Sequence, residues 1–303
     1  MQIATLISNP KDRLDETMIA GLMGAWSGRD LRWLSARRAA EFTMPTAPQS
    51  FASAWNMAQK QGVDLVLQSA DTRRKSLLIA DMDSTLIEEE CIDELADAAG
   101  LGPKVAQITR RAMNGEIDFE RALADRVALL EGLPETTIDQ VIAERITPTP
   151  GGATLVETMK QSGAHATIVS GGFTAFTARV AQALGFDDHH ANTLIAKNGH
   201  LTGAVADPIL GRDAKVDVLS ATVQRLAIKT ESVLAVGDGA NDLGMLGIAG
   251  LGVALHAKPS VQKASKARIN HSDLTALLYL QGYSDAEISW RADPDFGSDL
   301  PAG

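Results

Sequence analysis

Two aspartates one residue apart, Asp81 and Asp83, follow directly on four apolar residues, Leu77 to Ala80. A short apolar run bounded by polar residues reads as a buried strand of a parallel sheet. Alternate side chains of an extended chain point the same way. Both carboxylates then face one site at the carboxyl end of the strand, where open α/β sheets bind ligands. Two carboxylates forced together repel, so they need a cation, a shared proton or a solvated exit. A hard cation such as magnesium suits them, because it takes oxygen ligands and keeps positions for water and phosphate.

Two further buried runs end in polar motifs: Ser170-Gly171-Gly172, and the stretch GDGAND that contains Asp238, Asn241 and Asp242. Each pattern also has an ordinary reading. Asp-x-Asp occurs in loops and caps, SGG in turns before helices, and GDGAND in turns or calcium loops, although the EF-hand glutamate is missing. Lys215, between the second and third motifs, read alone is a surface lysine. What distinguishes the set is its order, each motif after a buried strand. Adjacent parallel strands bring such ends into one crevice.

The elements that must position these groups divide the chain into three parts. Residues 1–72 read as a small α+β domain: strands in MQIATLIS, LRWLS and VDLVLQS, and helices in RLDETMIAGLMGAW and SFASAWNMAQKQG. The charged run 71–75 reads as a solvated linker. Residues 73–290 form the second domain, with a helical insertion at about 88–150 whose helices are separated at Gly100, Gly115 and Gly132. From Gly151 helix and strand alternate, which implies a doubly wound, mostly parallel, Rossmann-like sheet with helices on both faces. Asn198-Gly199 between two runs of strand character marks a hairpin. Residues 291–303 are expected to fray.

Composition narrows the class. With 303 residues, 45% hydrophobic and 22% charged, the chain is an ordinary globular protein of about two domains. A net charge of −10 argues against a duplex nucleic-acid partner. The single cysteine, Cys91, excludes an internal disulfide framework and reads as a small buried apolar residue. The start has no export signal, and no run of 18 apolar residues suggests a membrane span. The cytoplasm is the expected compartment. His165, His189, His190 and His200 show no metal-ligand spacing and read as surface or turn residues.

DMDST at 81–85, SGG at 170–172, Lys215 and GDGAND at 237–242 together resemble the four motifs of the haloacid dehalogenase-like phosphatases. The serine after the second aspartate, and Glu90, Met113, Phe119 and Arg126 at matching spacings, make the chain similar to the branch of that family that hydrolyses O-phospho-L-serine. The resemblance covers about 76–285. It implies Asp81 as nucleophile and Asp83 as general acid and base, a route open to carboxylates. It implies Mg2+ on Asp81, Asp238 and the backbone carbonyl of Asp83, with Asp242 orienting that shell.

On the same resemblance Ser170, Gly171, Gly172, Lys215 and Asn241 hold the phosphate. Glu90 and Arg126 meet the substrate's ammonium and carboxylate, and Met113 and Phe119 close over it. An ACT-like N-terminal domain, and a homodimer through it, are expected from relatives of this size. Hydrolysis of another small phosphate, such as phosphohomoserine or a sugar phosphate, and phosphate sensing without turnover are the competing readings.

Overall fold

Leu77–Ala80 forms a strand inside a six-stranded parallel sheet, and the site is arranged about its carboxyl end. The computed structural model describes residues 1–114 and 116–297, with Met113 described only in its backbone. The chain opens with β1 (Gln2–Ser8), α1 (Glu16–Trp26), β2 (Arg29–Ser35), β3 (Ala39–Met44), α2 (Phe51–Lys60) and β4 (Val63–Ser69). These strands pair antiparallel in the order β2-β3-β1-β4. Ala4, Leu6, Phe42 and Leu65 pack with Met18, Ile19, Leu22 and Trp26 of α1. Their neighbours Ile7, Ala39 and Val66 face the other way, into the main core.

β5 (Leu77–Ala80) is followed by four helices, α3 (Cys91–Ala98), α4 (Gly102–Met113), α5 (Phe119–Ala128) and α6 (Thr136–Arg145). Then come α7 (Gly152–Gln161), β6 (His165–Phe173), α8 (Thr174–Leu184), β7 (Asp188–Asn192), β8 (Leu194–Lys197), β9 (His200–Val205) and α9 (Arg212–Arg225). The chain ends with β10 (Val233–Gly237), α10 (Leu243–Ile248), β11 (Leu251–Leu255), α11 (Pro259–Ala264), β12 (Ala267–Ile269) and α12 (Ala276–Leu280). The parallel sheet has the order β12-β11-β10-β5-β6-β7. From β5 the chain steps out to β6 and β7, then returns to build β10, β11 and β12 on the other side. The gap between β5 and β10 is therefore the switch point at which such sheets bind ligands. Asp81 N donates to Val236 O at 3.0 Å, which locks the two strand ends in register.

β8 and β9 form the hairpin expected at Asn198-Gly199, both residues having positive φ, 53° and 77°. Gly132 N donates to Leu201 O, and Glu135 N to Gly199 O, so the hairpin is tied to the helical insertion. Gly115, read as a helix break, lies outside the described residues.

The structure differs from the sequence reading in several places. β3, β7 and β12 were not expected: AAEFTM, DHHAN and ARI carry little of the branched and aromatic character that marks strands. Partners hold them instead, β3 lying between two neighbours and the other two at sheet edges. His189 and His190 are exposed, as read, but stand on a strand and not a turn, and His165 opens β6 with Nε2 at 2.8 Å from Asp188 Oδ2. His200 opens β9.

The run 71–75 is no solvated linker. Arg73 Nη2 lies 2.6 Å from Glu41 Oε2 and 3.1 Å from Leu280 O, and the Arg74 guanidinium stacks 3.3 Å over the Tyr283 ring. Lys75 Nζ donates to Thr72 O and Glu231 O. Buried α12 ends in carbonyls without helical partners, and arginines satisfy them. The expected tail also packs, as far as residue 297: Asp293 accepts from Gly151 N at 2.8 Å, and Phe296 is buried.

Asp64, on β4, is fully buried and accepts from the backbone N–H groups of Asn270, His271 and Ser272 at 2.8, 3.1 and 2.9 Å. Asp64→Ala would leave three donors unpaired, each costing about 1–3 kcal/mol. We expect a loss of about 3 kcal/mol or more, read as a lower denaturant midpoint. An unchanged midpoint would show that water replaces the carboxylate.

Candidate active site

Asp81 is the first residue after β5 and Asp238 the first after β10. Lys215, in the first turn of α9, reaches both strand ends from the side: its Nζ lies 2.7 Å from Asp81 Oδ2 and 2.6 Å from Asp242 Oδ1. All three groups are buried. Burial alone would lower the lysine's pKa, but the attraction of Asp81 and then Asp242 outweighs it and leaves it raised. The ammonium is therefore a fixed positive charge. The second oxygens are also engaged, since Met82 N donates to Asp81 Oδ1 at 2.8 Å and Gly239 N to Asp242 Oδ2 at 2.9 Å.

Oxygens of Asp81, Asp238 and Asp242 all lie within 4.8 Å of one another. Burial first, and then repulsion by Asp81, pushes the pKa of both Asp238 and Asp242 up to about 7. The Lys215 ammonium contacts two of the three carboxylates, Lys258 acts on Asp238 from a distance, and Asp238 has no hydrogen bond of its own among the described residues. This donor set fits a hard divalent cation, which would supply the missing positive charge.

Asp83 stands outside that trio. Its Oδ1 accepts from Cys91 N, at the start of α3, at 3.0 Å, and Ser170 Oγ donates to its Oδ2 at 3.4 Å. Burial, followed by repulsion from Glu90, pushes its pKa up to about 7, so it is poised between acid and base at neutral pH. The backbone passes so close that a Cβ on Gly172 would sit 2.6 Å from Asp83 Oδ2. Ser170 is buried, its hydroxyl turned to Asp83 and accepting from Gly172 N at 2.9 Å, rather than facing open space.

A cavity of about 320 Å³ is lined by Asp81, Asp83, Asp238, Gly171, Gly172 and Asn241 from the sheet side. Glu90, Phe119 and Arg126 line it from the helical insertion. The Phe119 ring would touch a Cβ on Gly171 at 3.3 Å, so insertion and sheet meet at this point. Glu90 Oε1 accepts from Ser84 Oγ at 2.9 Å, and its pKa is raised, chiefly by burial. Half-buried Arg126 donates from Nε to Ala122 O; burial lowers its pKa against the pull of Asp93, Glu90 and Asp83. One cavity thus holds an acidic and a basic group above the aspartates. The side chain of Met113, expected here, lies outside the described residues.

Two contributors escaped the sequence reading. Lys258 also lines the cavity, and its signal was its position just past the end of β11. Buried Asn192 donates to Gly171 O at 2.9 Å and accepts from Leu210 N at 2.7 Å. It fixes the glycine turn and the segment leading into α9. It stands on β7, a strand the sequence did not reveal.

The profile of haloacid dehalogenase-like hydrolases matches residues 78–247. The chain belongs to that family. It is 43% identical over 229 residues to the phosphoserine phosphatase of Streptomyces coelicolor, covering 75% of this chain and 56% of that protein. It is 45% identical over 214 residues to the phosphoserine phosphatase of Lactococcus lactis, covering 70% of this chain and 99% of that one. The chain therefore spans little more than half of the Streptomyces protein and nearly all of the Lactococcus one. The crystal structure of a hydrolase of this family from Salmonella enterica serovar Typhi superimposes with a TM-score of 0.85 at 30% identity, over 94% of this chain and 98% of that one. The N-terminal antiparallel sheet is thus within the shared architecture. No helix among the described residues is long and apolar enough to cross a membrane.

If the acidic trio holds a divalent ion, Asp238→Asn should weaken magnesium binding at least tenfold, as measured by isothermal titration calorimetry. Equal affinity in the two proteins would place the ion elsewhere.

Proposed function

We propose that this chain is a magnesium-dependent phosphomonoesterase that hydrolyses O-phospho-L-serine to L-serine and phosphate, serving L-serine synthesis in the cytoplasm. The observation that carries the reading is the single cavity in which Asp81, Asp83 and Asp238 face Glu90 and Arg126. Its size suits a small amino-acid phosphate. The likeness to phosphoserine phosphatases over two thirds of the chain supports the same substrate.

In this reading Asp81 is the nucleophile. Its carboxylate oxygen forms a bond to phosphorus while the bond from phosphorus to the serine oxygen breaks, and protonated Asp83 gives its proton to that oxygen. The ionised Asp83 then takes a proton from the water that attacks the aspartyl-phosphate, releasing phosphate and restoring Asp81. Cys91 N holds one Asp83 oxygen, and the other, which meets only the long 3.4 Å contact from Ser170 Oγ, exchanges the proton. Lys215, anchored by Asp242, places fixed positive charge beside Asp81, where negative charge spreads over the phosphoryl oxygens.

Asp81, Asp238 and the Asp83 backbone carbonyl would hold Mg2+, which neutralises charge on the phosphate when bound. Gly171, Gly172 and Asn241 line the phosphate side. Glu90 pairs with the substrate ammonium, Arg126 with its carboxylate, and Phe119 closes over it. A homodimer through the N-terminal sheet is the expected assembly, checked by light scattering.

Asp81→Asn should lose more than a thousandfold in turnover while keeping the native circular dichroism spectrum; appreciable residual phosphate release would remove the covalent route. Arg126→Ala should lower kcat/KM for phosphoserine at least a hundredfold, about 3 kcal/mol, and much less for p-nitrophenyl phosphate. Equal losses on the two substrates would show that Arg126 does not read the carboxylate.

A further inference from the structure

On the far side of Asp238 lies a second, larger cavity of about 680 Å³, between the ends of the parallel strands and the loop that follows β1. Lys11, His256, Lys258 and His271 bring four basic groups to it from three separate segments. Neither ammonium has a salt-bridge or hydrogen-bond partner among the described residues. Of the acidic groups in the wall, Asp238 belongs to the acidic trio and Asp273 is held by Arg38 at 2.9 Å. That leaves Glu88, and Asp238 on the shared wall, against two lysines and two imidazoles.

The wall is built rather than loose. Asn9 Nδ2 donates to His271 O at 2.8 Å, and Lys11 N donates to Asn9 Oδ1 at 3.0 Å, which sets the start of the lysine side chain. His256 has φ of 45°, a left-handed conformation unfavourable for a residue with a side chain, and its Nε2 meets Ser272 O at 2.8 Å. His271 Nε2 is closed off from the cavity, so this residue shapes the wall and does not meet a ligand through that nitrogen.

We propose that this outer cavity is a second binding site, for a small multivalent oxyanion, a dicarboxylate or a phosphate, held between Lys11 and Lys258. Lys258 also lines the inner cavity, where its charge acts on Glu90 and Asp238. An anion in the outer cavity draws that ammonium away and weakens substrate binding in the inner one. This consequence rests on the phosphatase reading; the binding itself does not.

The test uses the full chain and its Lys11→Gln variant, since Lys11 is exposed, lines the outer cavity and not the inner one, and lies outside the proposed hydrolytic machinery. Malonate and inorganic phosphate are titrated separately by calorimetry, and phosphoserine hydrolysis is followed with and without malonate. Malonate should bind the unsubstituted protein and at least tenfold more weakly to Lys11→Gln. It should raise KM only in the unsubstituted protein, with basal kcat and KM alike in both. Phosphate binding that falls with Lys11→Gln while malonate does not bind would assign the site to phosphate. No binding of either anion, or equal affinities in the two proteins, would overturn the proposal. Failure of the phosphatase reading would appear separately, as absent turnover in the unsubstituted protein, and would leave the calorimetric result standing.

Discussion

The buried ammonium of Lys215, between Asp81 and Asp242, is the constraint on which the rest of the site depends. Removing two carboxylates and an ammonium from water is costly, and is tolerated only when the charges are close and their remaining hydrogen-bonding positions are filled. Here Met82 N and Gly239 N fill them. The contact pins the first turn of α9 against the ends of β5 and β10, and so holds Asp81, the fixed cation and the rest of the acidic trio in one arrangement. It also leaves a negative excess that a further cation would balance.

Around this rigid centre the protein separates two tasks. The sheet supplies reactive oxygens, backbone N–H groups and glycines that let them approach, all on strand ends locked by the ladder of β10, β5 and β6. The helical insertion supplies Glu90, Phe119 and Arg126, which touch the cavity from the other side. In the proposed reaction, phosphoryl chemistry depends on the first set and discrimination between substrates on the second. Asp83 joins them, because Cys91 N at the start of α3 and Ser170 on β6 both hold its carboxylate.

The N-terminal sheet is more closely integrated with the site than a tethered module would be. Asp64 organises the backbone of residues 270–272, Arg38 holds Asp273 and Thr275, and Arg73 joins Glu41 to the end of α12. These contacts set the wall of the outer cavity beside Asp238. A change in the packing of the first sheet therefore reaches the strands that carry the acidic trio through hydrogen bonds rather than through a flexible connection.

The sequence by itself determined the parallel sheet, the helical insertion, the Asn198-Gly199 hairpin and every side chain of the acidic trio. These features are local: apolar runs, helical periodicity, turn dipeptides and motifs at strand ends are written in consecutive residues. Only the tertiary structure decided that AAEFTM, DHHAN and ARI are strands, because partners rather than propensity hold them. It turned Ser170 toward Asp83, and recruited Asn192 and Lys258, neither of which belongs to a motif, to the site. It also converted a charged run, legible only as solvated, into ties to the carbonyls of a buried helix end. Position in the sequence says which groups a chain carries, but burial and pairing, which depend on residues hundreds of positions away, decide what each one meets.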